Sequence, residues 1–74
     1  MKYKLMVYLL ERWVTVAEDN KKISNDDIYN IIEHIMKKYD ILLLDYRLYK
    51  NNKQIKDGFM IDRNYAKELF ISHD

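Results

Sequence analysis

At 74 residues the chain has room for one domain, 1–74, whose folding buries only about 60–65% of the surface of an unfolded chain; an oligomeric interface or a partner is the expected supplement. Cys is absent, which excludes disulfides and thiolate metal sites and fits a reducing compartment. Apolar residues make up 49% and charged residues 34%, a folding composition, while 13 basic against 12 acidic side chains leave +1, too little for a long-range field toward nucleic acid or an anionic membrane.

The N-terminal third supports two readings. As strands, Tyr3, Leu5, Val7 and Leu9 alternate on one face, and Tyr8, Trp13, Val14, Thr15 and Val16 all favour extended backbone. As a helix, Lys4, Tyr8, Glu11, Arg12, Thr15, Glu18, Asp19 and Lys22 fall on one polar side. The strand reading is preferred, with a turn near Glu11-Arg12 that lacks any good turn residue. The basic start and the apolar run from Leu5 to Leu10 are too short for a secretory core or a membrane span, so the expected location is cytoplasmic.

A helix is expected over Asn25–Tyr39. Ser24 reads as its N-cap, with Asp27 three residues on in a near capping box. Ile28, Ile31, Ile32, Ile35 and Tyr39 form one apolar stripe. Asp26 and Asp27 in the first turn and Lys37 and Lys38 in the last complement the helix dipole.

There is no Pro and Gly58 is the only Gly, so Asn, Asp and Ser must make the turns. Asn51-Asn52 suits a type I′ hairpin turn joining strands near Ile41–Lys50 and Lys53–Asp62, because Asn tolerates positive φ at both positions. Unbroken alternation from that turn pairs Leu48 with Ile55, Leu44 with Phe59 and Leu42 with Ile61, and leaves Leu43 and Met60 on the outer face. Asp57 then falls opposite Tyr46, a misfit that a bulge at Asp57-Gly58 would relieve. A last short helix over residues 63–72, capped by Asp62 or Asn64, carries Ala66, Leu69 and Phe70 as its stripe. The expected fold is α+β, a small single domain of order ββαββα with an antiparallel sheet and two helices; the alternative is ααββα, a winged-helix-like arrangement.

No catalytic constellation is visible. The hydroxyls are Thr15, Ser24 and Ser72, and the imidazoles are His34, on the solvated side of the helix, and His73 at the far end. A single Gly cannot build a phosphate-cradling loop. Glu18 and Asp19 could approach Asp26 and Asp27 around a hard cation, but capping already accounts for the last two. The expectation is a non-enzyme with no cofactor, no metal, no small-molecule substrate and no membrane.

Two surfaces remain. Two helices on one side of a four-stranded sheet leave its other face open, with Met6, Tyr8, Leu10, Trp13, Leu43 and Met60 as candidates for a protein interface. The hairpin also carries Arg47, Tyr49, Lys50, Lys53 and Lys56, with Arg47, Tyr49, Gln54 and Lys56 expected on one face, a candidate nucleic-acid ribbon; the competing role for such lysines is to discourage edge aggregation. The leading expectation is therefore a small protein-interaction module, homodimeric or bound to a protein partner, that occludes another protein's surface. Lys, Ile, Tyr and Asn supply 32 of the 74 residues, and their AT-rich codons suggest a low-GC source, such as a phage or mobile element encoding an inhibitor of host defence. The alternative is a nucleic-acid-binding module using the basic hairpin 47–56.

Overall fold

Alternation at the N-terminus does produce strands. The structure, a computed structural model, describes residues 2–71 (side chains through residue 68). The order is β1 (Tyr3–Leu9), β2 (Arg12–Asp19), α1 (Asn25–Tyr39), β3 (Leu43–Lys50), β4 (Lys53–Ile61) and α2 (Arg63–Ile71), so the fold is the ββαββα one. The strands form one antiparallel sheet ordered β2-β1-β3-β4.

The β1–β2 turn falls at Leu10-Glu11, one residue earlier than expected. Both residues are left-handed, with φ of 54° and 65°. A two-residue hairpin loop demands positive φ at both positions, and Leu and Glu adopt it only against the clash of Cβ with the following carbonyl. The other hairpin turn lies at Asn51-Asn52 as expected, with φ of 51° and 67°. Asn51 also ties that turn to β1: its N–H donates to the Lys2 carbonyl at 2.8 Å, and its Oδ1 accepts from the Lys2 N–H at 2.9 Å.

Helix α1 has the expected bounds and a complete capping box. The Asp27 N–H donates to Ser24 Oγ at 3.1 Å and the Ser24 N–H to Asp27 Oδ2 at 3.4 Å. It buries Ile28, Ile32 and Met36 against Tyr3, Leu5 and Val7 of β1 and Leu44, Tyr46 and Leu48 of β3, with Ile31 and Ile35 at the margin. Tyr39, expected in the stripe, is half exposed at the last residue of the helix, and Met36, one turn on from Ile32, takes the inward position.

The largest departure from simple alternation is in β4. Lys50 faces Lys53 and Tyr49 faces Gln54, but Leu48 faces Lys56, leaving Ile55 unpaired in a bulge. The expected bulge at Asp57-Gly58 is thus two residues too late. Beyond Ile55 every partner moves by one: Gly58 lies opposite Tyr46, Met60 opposite Leu44 and Ile61 opposite Leu43. The physical reason is at Tyr46, whose ring is buried. A Cβ built on Gly58 would come within 2.8 Å of Tyr46 Oη and 2.9 Å of its Cζ, so a side chain opposite that ring would have to push it aside. Asp57 there would also lose its hydration, at a cost of several kcal/mol. The shift moves Asp57 to the outer face opposite Arg47. Met60 accordingly packs against the core, and Phe59 and Ile55, expected inside, are 62% and 48% exposed. Leu42, also expected inside, is half exposed, and its carbonyl accepts from the Asp62 N–H at 2.8 Å.

Asp62 caps α2, its Oδ1 accepting from the N–H groups of Asn64 and Tyr65 at 3.0 and 3.1 Å. The side chains of Leu69 and Phe70, and all of Ser72 and His73, lie outside the described residues. Among the described side chains, none of α2 joins the core, and α1 supplies the helical layer over the inner face. The longest dimension, 48 Å, exceeds the ~30 Å of a nine-residue strand, consistent with α2 running on from the end of β4.

Two stability predictions follow from these backbone features. Replacing Leu10 with Asn and Glu11 with Gly together should raise unfolding stability by about 1–2 kcal/mol in urea titration, by relieving left-handed strain. Gly58→Ala should lower it by about 1–3 kcal/mol, because the added methyl displaces the Tyr46 ring.

Candidate functional site

Among the described residues, no helix lies over the second face of the sheet. Alternation places Lys4, Met6 and Tyr8 of β1 there, with Trp13, Thr15 and Glu18 of β2, their cross-strand partners. From the other half come Leu43, Asp45, Arg47 and Tyr49 of β3, paired with Ile61, Phe59, Asp57 and Gln54 of β4. One row across the sheet therefore reads Thr15, Met6, Arg47, Asp57.

Aromatic and cationic groups organise the β1–β2 half. Trp13 meets Tyr8 edge-on, with ring centroids 5.4 Å apart and planes at 64°. The Arg47 guanidinium lies over the Trp13 ring, 4.0 Å from its centroid. Because β2 and β3 flank β1, that contact spans β1 and carries the guanidinium toward the β2 side. Lys4 Nζ sits 5.5 Å from the Tyr49 centroid. Cation–π contacts of this kind are worth about 0.5–1 kcal/mol at exposed sites.

Carboxylates and apolar groups mark the β3–β4 half. Asp57 stands directly across from Arg47, yet the guanidinium pairs with the indole. Among the described residues the ion pairs are Lys2–Glu18 and Lys37–Glu33, each at 3.0 Å, so Asp45 and Asp57 are exposed carboxylates without a cationic partner. Phe59, Leu43 and Ile55 lie exposed around them.

Of the residues expected at a protein interface, Met6, Tyr8, Trp13 and Leu43 share this face. Leu10 stands beside it, 77% exposed in the strained turn. Met60 does not belong: the Ile55 bulge turns it inward, and Phe59 takes the outer position. The signal for Phe59 was the misfit of Asp57 opposite Tyr46, which no unbroken register removes.

The basic hairpin does not stay together. Arg47 and Tyr49 are on the outer face. Lys50 is on the inner one, its Nζ 5.8 Å from the Tyr3 ring centroid. Lys53 faces Lys50, and Lys56, expected beside Arg47, lies opposite buried Leu48 and donates to Asn25 Oδ1 at 2.7 Å.

The sheet edges are poor docking sites. β2 carries a bulge at Val16 and β4 one at Ile55, and bulges on edge strands interrupt the row of free backbone groups. On the inner side, an open apolar groove of about 510 Å³ runs between α1 and β2, lined by Leu9, Val14, Val16, Ile31, Ile35 and Tyr39 together with Asn30, His34 and Lys38. His34 is an exposed residue of this lining. Among the described residues no three of His, Asp and Glu gather as metal ligands, and no helix is long and apolar enough to cross a membrane.

Comparison with protein-family models, curated proteins and solved structures finds no match for this chain.

The placement of Phe59 and Met60 is directly testable. Measured on the monomer, Phe59→Lys should change unfolding stability by no more than about 1 kcal/mol, whereas Met60→Lys should cost about 3 kcal/mol by putting a charge against the core. The opposite ranking in urea melts would restore the unbroken register.

Proposed function

We propose that this chain is a small protein-interaction module that works by covering another protein's surface with the outer face of its sheet. The observation that carries the reading is the Arg47–Trp13–Tyr8 stack on a face that none of the described residues covers. Trp, Tyr and Arg are the residues on which binding energy concentrates in protein interfaces, where rigid aromatic area is buried at little entropic cost. Phe59, Leu43 and Leu10 add exposed apolar surface around the stack. The left-handed Leu10-Glu11 turn supports the same end of the molecule: strain of this kind persists where geometry serves a site. Such a module modulates or inhibits its partner by occlusion and needs no chemistry of its own.

A hairpin ribbon for nucleic acid draws less support. Its cations divide between the two faces, and the outer face carries Asp45, Asp57 and Glu18, which repel phosphate.

Site-specific photo-crosslinking tests the reading in cells that naturally carry the gene. A benzophenone amino acid in place of Tyr8 or Leu43 should form covalent adducts with protein, and one in place of Tyr29, exposed on α1, should not. Adducts from position 29 with none from 8 and 43, or adducts removed by nuclease, would overturn it.

A further inference from the structure

We propose that, when no other protein occupies it, the outer face is covered by the same face of a second copy, packed sheet on sheet about a two-fold axis parallel to the strands. This rests on the reading of that face as a protein interface and names its occupant.

The charge arrangement leads to it. The Arg47 guanidinium is held on the Trp13 ring and, among the described residues, is in no ion pair. Asp45 and Asp57 are exposed carboxylates that also lack a cationic partner among the described residues. A two-fold axis along the strands, between β1 and β3, lays β2 of one copy over β4 of the other and β1 over β3. That operation sets the Arg47 guanidinium, displaced toward β2, against Asp57 and Asp45 of the other copy. It also lays Trp13 over Phe59, which are the outer-facing partners of Tyr8 and Asp45. Both contacts occur twice, as an isologous interface requires. Aligned packing at about −30° is the ordinary crossing of two twisted sheets laid face to face.

The area is sufficient. Four strands at about 4.8 Å spacing and about eight residues of about 3.3 Å rise give a projected face of roughly 500 Å². Accessible surface exceeds projection because side chains stand up from it, which brings the face into the range of about 600–1,000 Å² per partner of stable interfaces. The small core of a 74-residue chain and its uncovered Phe59 and Leu43 then gain a second layer.

Sedimentation equilibrium on the intact protein, from about 1 to about 100 µM, is the first measurement. A mass rising to twice 9.1 kDa is expected, with emission from Trp13, the only Trp, shifting to the blue over the same range. Arg47→Glu and Asp57→Arg should each weaken self-association by about tenfold or more, since each sets like charges together across both halves of the interface. An equimolar mixture of the two variants should associate again as a heterodimer, because each altered side chain then meets its opposite; that recovery cannot come from repair within one chain. A constant 9.1 kDa mass with unshifted Trp13 emission would overturn the proposal, as would a mixture no more associated than its components. Adducts to a different protein from positions 8 and 43, with a monomeric chain, would overturn the second copy while leaving the interface reading intact.

Discussion

A single helix cannot cover both faces of a four-stranded sheet, and everything distinctive about this molecule follows from that constraint. Helix α1 buries three side chains against β1 and β3 and spends its apolar stripe there. Among the described side chains, α2 contributes nothing to that layer. Among the described residues there is therefore one well-packed interface, between α1 and the inner face, and one sheet face that presents aromatic, cationic, acidic and apolar groups. For so small a core, each Å² of apolar surface left in water on that face forgoes about 25 cal/mol of stabilisation.

The composition of the open face is set by one unpaired residue. Ile55 shifts the β3–β4 ladder by one, and the side chains of β4 beyond it exchange faces relative to unbroken alternation. Met60 joins the core and Phe59 leaves it. Asp57 moves out to face Arg47, and Gly58 comes to lie under the Tyr46 ring. The exchange trades the burial of Phe59 and Ile55 for the hydration of a carboxylate and room for an aromatic ring. It also places a second carboxylate, Asp57, on the outer face with Asp45.

Both hairpin turns demand left-handed residues, and the chain meets the demand unequally. Asn51 and Asn52 suit it, and Asn51 adds hydrogen bonds to Lys2 that close the sheet. Leu10 and Glu11 do not, so the turn beside the Trp13 and Tyr8 stack is held against its own preference. The register of β1 on β2 is nevertheless secure, because slipping by one residue would carry Leu5 and Val7 into water.

Much of this architecture was legible in local chemistry. The Ser24–Asp27 capping box, the Ile stripe and the charged turns marked the limits of α1, since capping and periodicity act within a few residues. The Asn51-Asn52 turn and the alternation of Tyr3, Leu5 and Val7 marked the hairpins, and with them the ββαββα order. The exposed sheet face with Tyr8, Trp13 and Leu43 followed from counting helices against faces. What the linear pattern did not contain was the position of the β4 bulge. Ile55, Phe59 and Ile61 are apolar and fit the inward register by composition alone. Only the buried Tyr46 ring, which leaves no space for a Cβ opposite it, selects Gly58 and so sends Phe59 outward. That selection is a matter of volume between two strands, and it exists only once they are paired. The stacking of Arg47 on Trp13 likewise joins β3 to β2 across β1, a proximity created by the strand order and by nothing local to either residue.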